Sequence, residues 1–169
     1  MNEQFRIVPL SEVPEVIPTL ARWYKEQWAA WFASMTPAEI EADFRLLLKS
    51  NRLPLGLVAL NGAEQPVGVC SIRSDTFDPY PHAGPWLRGL YVKPDERGKD
   101  IAGHLIRAAE KNAAQLPVTK LYAATHSATG TFERAGWLGF DQVLHDGQKL
   151  IIFGRQIRQA SSATPFQQT

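Results

Sequence analysis

The stretch Leu87–Gly103, LRGLYVKPDERGKDIAG, decides how the rest of the chain is read. An apolar strand, Leu87–Val92, stops at Pro94 and turns through Asp95-Glu96-Arg97-Gly98-Lys99. A helix follows, its buried side running Ile101, Ala102, Leu105, Ile106 and Ala109. Such a strand, basic turn and helix start point backbone N–H groups at an anion. The first turn of a helix carries unpaired donors and the positive end of the macrodipole. Gly98 lets a bulky phosphate approach, and Arg97 and Lys99 add charge. By itself the segment also fits any strand-to-helix loop of an α/β protein, so its neighbours decide.

Working outward, the chain has 169 residues, 44% of them hydrophobic, enough for one domain with a sizeable core. A net charge of +1 gives no bulk attraction to nucleic acid or to an acidic membrane. Cys70 is the only cysteine, which excludes an intrachain disulfide and cysteine-rich metal sites. Its apolar strand context marks a buried structural thiol. No apolar run reaches the ~20 residues that span a bilayer. MNEQFRIVPL lacks the basic start and long apolar run of a signal peptide, so a cytoplasmic location is expected.

On the N-terminal side, Gln4–Leu10 reads as a strand. Ser11 then caps a helix from Glu12, with Val13, Ile17, Leu20, Tyr24, Gln27 and Trp31 at spacings of three and four. Trp23, Trp28 and Phe32 widen this stripe beyond one core face. Trp28, Trp31 and Phe32 are therefore candidates for lining a ligand cleft. Thr36-Pro37-Ala38-Glu39 is a capping box, and its helix is expected to end near 49–51. Leu53–Leu60 and Val67–Ile72 form a hairpin across Asn61-Gly62. Ser74–Pro85, SDTFDPYPHAGP, is a proline-rich loop with Phe77, Tyr80, Asp75, Asp78 and His82, and it leads into the strand Trp86–Val92.

On the C-terminal side, the central helix is expected over Lys99–Gln115. KLYAAT at Lys120–Thr125 is a strand, and Thr129–Ala135 is a short helix. Gly139–His145 and Gln148–Ile157 form a hairpin across Asp146-Gly147. Residues 158–169 are polar and aperiodic, and a disordered tail is expected there. The order β-α-α-β-β-β-α-β-α-β-β implies an α/β (α+β) mixed sheet within a single domain, residues 1–157. Adjacent strands pair as antiparallel hairpins, and the central helix makes a parallel crossover.

This order, with its turn, resembles the GNAT N-acetyltransferase superfamily, whose pyrophosphate signature is Arg/Gln-x-x-Gly-x-Gly/Ala after a strand and a proline. Here that segment reads Leu90-Tyr91-Val92-Lys93-Pro94, then Arg97-Gly98-Lys99-Asp100-Ile101-Ala102. FERAGW at Phe132–Trp137 resembles the family's second signature, and ARWYKEQW, PLGLVAL and GPWL fit a bacterial group within it. The resemblance covers roughly residues 4–157 and implies a cytoplasmic enzyme with acetyl-CoA as co-substrate and no metal. The cofactor strand and the next parallel strand would splay apart. Leu90, Tyr91 and Val92 would pair with pantetheine, and Arg97, Gly98, Lys99, Asp100, Ile101, Ala102 and Gly103 would hold the pyrophosphate. Phe132 would lie at the thiol end of the cofactor. The acceptor, a small-molecule or peptide amine, would bind between the first helices and the proline-rich loop, against Trp28, Trp31, Phe32, Asp78, Tyr80 and Arg88. A homodimer would be in keeping with many relatives; nucleic acid and membrane are not expected as partners.

The chain departs from the family pattern in three places. Asp100 stands where the signature has its first glycine, Phe132 where relatives often have an acidic tyrosine, and Leu87-Arg88-Gly89 lacks the strand glutamate that serves many of them as base. The base candidates are then His126 first, with His82, Asp75 and Asp78 in the proline-rich loop. An acyl-CoA-binding or regulatory module without catalysis is the alternative these departures leave open.

Overall fold

The computed structural model describes residues 5–75 and 77–159. Seven strands form one mixed sheet: β1 (Phe5–Pro9), β2 (Leu55–Asn61), β3 (Pro66–Arg73), β4 (Trp86–Val92), β5 (Lys120–Thr125), β6 (Leu138–His145) and β7 (Gln148–Gln156). Their order across the sheet is β1-β2-β3-β4-β5-β7-β6. Only β4 and β5 run parallel; the other neighbours pair antiparallel. The helices are α1 (Ile17–Gln27), α2 (Pro37–Arg45), α3 (Ile101–Ala114) and α4 (Thr129–Arg134). The element order is the one expected from sequence.

The helices bury opposite faces of the sheet. Ile101, Leu105, Ile106, Ala109 and Ala113 of α3 pack with Leu57, Cys70, Ile72, Leu87 and Val92, and Phe132, Trp137 and Phe153 extend this core. On the other face, Leu20, Trp23 and Tyr24 of α1 and Ile40 and Phe44 of α2 cover Val58, Val69 and Tyr91. An irregularity in β4 between Arg88 and Tyr91 breaks strict alternation, so Leu87 and Val92 both lie towards α3 while Tyr91 lies towards α1 and α2.

Three helix boundaries differ from expectation by several residues. The chain from Leu10 to Val16 makes two 3-10 turns before α1 begins, and Val16 at its N-cap gives no side-chain cap. Ser11 therefore does not start the helix. The helix also stops at Gln27, so Trp28, Trp31 and Phe32 lie in turns that follow it. Thr36 and Glu39 form the expected capping box, but α2 ends at Arg45, and Gly56 of β2 donates to the Leu47 carbonyl just beyond. The tail expected over 158–169 lies, from residue 160 on, outside the described residues.

Cys70 is fully buried on β3, and burial pushes its thiol from 9.0 up to about 12. The unfolded chain releases this proton first, so the thiol's share of stability falls as pH rises from 9.0 towards 12. A thiol reagent at pH 8 is expected to modify Cys70 only at the rate of global unfolding. Rapid labelling of the native protein would contradict this burial.

Candidate active site

The sheet opens between β4 and β5. Among the described residues these strands share a single registered pair, Trp86 with Tyr122, at the start of β4. The Tyr122 N–H donates to the Pro85 carbonyl at 3.1 Å. Beyond that point the strands have no ladder, although both continue, to Val92 and to Thr125. On its other side β4 pairs with β3 through a bulge. Arg88 opposes Ser71 and Tyr91 opposes Val69, leaving Gly89 and Leu90 against Cys70. Gly89 takes the left-handed conformation, φ +63°, that a glycine adopts without steric cost.

Backbone alternation fixes which side of β4 faces the opening. The Lys93 N–H donates to the Val67 carbonyl of β3. Counting back, the Tyr91 N–H also faces β3, and those of Val92 and Leu90 face the β5 side. The chain thus has backbone donors aimed into a gap where a neighbouring strand would normally accept them. An extended amide-bearing ligand fits such a gap, as pantetheine would.

The turn after β4 leads from Pro94–Glu96 into α3. Arg97 Nε donates to the Val92 carbonyl at 2.9 Å, and the guanidinium lies 5.8 Å from the centre of the Tyr91 ring. This ties the turn to the end of β4. The first bond of the α3 ladder runs from the His104 N–H to the Asp100 carbonyl, so Ile101, Ala102 and Gly103 present N–H groups without intrahelical acceptors. Gly98, at φ +86°, has nothing within 4 Å of a built Cβ, leaving open space in front of the turn. These features suit a pyrophosphate. Asp100 takes φ +60°, the left-handed geometry a glycine would otherwise supply there. Its carboxylate folds back over Gly103, where a Cβ would lie 2.9 Å from Asp100 Cγ, and pairs with Arg107 at 3.0 Å. His104 is 4.0 Å away, and Lys99 pairs with Glu96 at 2.7 Å instead. Nothing in the sequence singled out Arg107, seven residues along, as the partner.

On the α1 and α2 face, Tyr24 reaches β4 and its hydroxyl donates to the Gly89 carbonyl at 2.5 Å. The half-buried Trp28 crosses Tyr24 edge-on at 4.9 Å and lies 6.3 Å from Tyr91; Phe32 is 6.1 Å from Tyr24. Trp31 points outward, 63% exposed. Arg73 on β3 binds Asp43 of α2 at 2.7 Å and lies 3.7 Å from Asp75. Arg88 is half-buried nearby; desolvation lowers its pKa, Asp75 opposes the shift and Arg73 adds to it. The proline-rich loop leans the other way. Phe77 packs on Trp86 and His145, and Tyr80 packs on Trp86 and Phe140. It thus bridges β4 and the β6–β7 hairpin, with Asp78 and His82 exposed on it.

His126 follows β5 directly, and its Nδ1 lies 3.2 Å from the Lys149 carbonyl on β7. A carbonyl only accepts, so this bond requires the proton on Nδ1 and leaves Nε2 as the basic nitrogen. Phe132 is 2% exposed, stacked on Phe153 at 5.4 Å and crossed by Trp137 at 5.0 Å. It fills the α3-side core and carries no acid. Among the described residues no group of His, Cys, Asp and Glu could hold a metal ion, and no helix is long and apolar enough to cross a membrane. Sequence reasoning placed Tyr24 in a core stripe, because helical spacing does not separate a buried ring from one whose hydroxyl holds a neighbouring strand.

The fold is shared with known proteins. The sequence model of the acetyltransferase (GNAT) family matches residues 17–137. No curated protein matches the chain. Among solved structures, an aminoglycoside 6'-N-acetyltransferase complexed with coenzyme A is similar at a TM-score of 0.71 and 14% identity, over 90% of this chain and 97% of that one. An acetyltransferase of the GNAT family from Streptococcus pneumoniae gives 0.66 and 13%, over 90% and 99%. The ribosomal-protein-S5-alanine acetyltransferase of Vibrio fischeri also gives 0.66 and 13%, over 93% and 95%. At these identities the likeness is one of fold.

Proposed function

Since the chain belongs to the acetyltransferase (GNAT) family, we propose that it moves an acetyl group from acetyl-CoA to a primary amine by direct attack. The observation that carries this reading is the β4–β5 opening, with backbone donors on one wall and an anion-ready turn at its end. Acetyl-CoA supplies an activated thioester. Leu90 and Val92 turn their N–H groups to its pantetheine arm, Tyr91 between them faces β3, and residues Arg97 to Gly103 hold its pyrophosphate. The Leu90 N–H faces the gap beside the bulge and is the donor we assign to the thioester carbonyl, where negative charge grows during attack. No covalent enzyme intermediate is involved, because Cys70 is buried and its thiol is held protonated.

A primary amine with a pKa of ~10.4 arrives protonated at neutral pH, so a base must take a proton before attack. His126 is the first candidate, oriented through Nδ1 with Nε2 free to accept; His82, Asp75 and Asp78 on the loop side are the others. The buried Phe132 donates no proton, and the thiolate leaves without a side-chain acid, as its thiol pKa near ~8.5 permits. The acceptor lies towards Trp28, Trp31 and Phe32 on one side and Asp78, Tyr80 and Arg88 on the other. The named acceptors of the similar structures, an aminoglycoside and a ribosomal-protein alanine, support a small-molecule or peptide amine.

The test is calorimetric binding of acetyl-CoA, together with CoA release against a panel of aminoglycosides, polyamines, amino acids and peptides. Saturable binding with turnover of at least one amine class is expected. Binding without turnover of any amine would favour an acyl-CoA-binding module that has lost catalysis, and no binding would end both readings. Asp100→Gly is expected to tighten acetyl-CoA binding roughly two- to fivefold. It removes a carboxylate beside the pyrophosphate at an exposed helix start, an effect of about 0.3–1 kcal/mol. Weaker binding by this variant would show that Asp100 helps to hold the turn open.

A further inference from the structure

We propose that Tyr24 is a positioning residue for the transfer step, setting the peptide plane between Gly89 and Leu90 so that the Leu90 N–H points at the thioester carbonyl. This rests on the acetyl transfer proposed above and adds a residue on a different helix to it.

The argument begins at the bulge. A regular strand orients each peptide by ladder bonds to both neighbours, and at Gly89–Leu90 the pairing is irregular on one side and has ended on the other. The β3 register breaks there, and β5 has already diverged. Gly89, at φ +63°, is also the β4 residue with the widest backbone freedom. The Tyr24 hydroxyl supplies the missing restraint with a 2.5 Å bond to the Gly89 carbonyl. In a trans peptide the carbonyl and the following N–H point in opposite directions. Holding the Gly89 oxygen therefore fixes the plane of this peptide, and with it the direction of the Leu90 N–H, which alternation from Tyr91 puts on the side away from β3.

Tyr24 is itself rigid. Its ring is buried between Phe44 at 4.7 Å and Trp28 at 4.9 Å, with Phe32 at 6.1 Å. Burial pushes the phenol pKa up, so the hydroxyl stays protonated and remains a donor throughout the neutral range. The phenol proton is committed to the Gly89 carbonyl, which makes Tyr24 a fixed support rather than an acid or base in the reaction. An oxyanion donor is effective when its direction is set before charge develops. A peptide at a break in the register would otherwise have to be ordered at that moment.

Tyr24→Phe keeps the ring and its packing and removes only the hydroxyl. Three readouts separate positioning from a merely structural role: the dissociation constant of acetyl-CoA by calorimetry, kcat against KM with an amine that the wild-type protein acetylates, and the infrared carbonyl band of bound acetyl-CoA carrying 13C at the thioester carbon. The expected result is a dissociation constant and KM within about twofold of wild type, a kcat lowered about tenfold, and a carbonyl band shifted towards that of the free thioester. Unchanged kcat and band position in a variant that binds acetyl-CoA would overturn the role of Tyr24 and leave the acetyl-transfer reading intact. A wild-type protein that binds no acetyl-CoA, or whose bound carbonyl band matches that of free acetyl-CoA, would remove the premise and the inference together. If Tyr24→Phe loses stability, the band measured at saturating acetyl-CoA on the folded fraction still decides: a wild-type band position would overturn the proposal.

Discussion

Trp86→Ala is expected to lower the stability of the fold by about 4 kcal/mol and to weaken acetyl-CoA binding at least tenfold. Trp86 is 1% exposed and holds the one point where the two parts of the sheet meet. Its ring lies 5.3 Å from that of Tyr122 on β5 and 5.1 Å from that of Phe77 in the proline-rich loop, and its indole N–H donates to the Ala83 carbonyl at 2.9 Å. Truncation leaves a cavity lined by three aromatic rings and frees the loop that bridges β4 and the β6–β7 hairpin. The opening would then lose the hinge that sets its angle. Chemical denaturation and calorimetry check the two effects. A variant with the full stability loss and wild-type affinity would mean that the opening is held from elsewhere.

Gly89→Ala is expected to be comparably severe, about 2–5 kcal/mol, and to abolish turnover. An L-residue at φ +63° costs about 1–2 kcal/mol. A built Cβ also overlaps the Tyr24 hydroxyl and comes within 2.7 Å of its Cζ, and the aromatic packing around Tyr24 leaves that ring no easy retreat. Forcing such a ring aside costs about 1–3 kcal/mol more. Gly98→Ala is the matched control, because φ is +86° there and nothing lies within 4 Å of the added carbon. Only the backbone cost, about 1–2 kcal/mol, is expected. Equal losses in the two variants, measured by urea denaturation, would show that contact with Tyr24 adds nothing.

Local chemistry explains which features the sequence made legible. Strand β4 begins and ends where its apolar run predicts, and KLYAAT matches β5 residue for residue, since turn residues bound both. The Thr36–Glu39 capping box acts through neighbours three residues apart and was readable for that reason. The start of α1 was not, because Pro14 and Pro18 favour tight turns before the helix settles and the aromatic stripe masks where it stops. The proposed cofactor side lies on one continuous segment, Leu87–Gly103, so its reading rests on local spacing. The proposed acceptor side draws on α1, α2, β3 and the proline-rich loop, whose contacts are long-range: Tyr24 with Gly89, and Arg73 with Asp43. Spacing within one segment holds no record of such pairs.

Past the bridge between Trp86 and Tyr122, β4 is an edge strand in the interior of a sheet. Exposed edges recruit extended chains, and proteins usually blunt them at the border of a sheet with charges, prolines or bulges. Here the bulge at Gly89 does this inside. A peptide adding along β4 would have to keep strand spacing across a position where two residues stand for one, and would fall out of register. A short flexible chain with only a few amides needs just the groups beyond the kink. The distortion that frees the backbone for a ligand is thus also a filter against the partner every open edge attracts, another polypeptide.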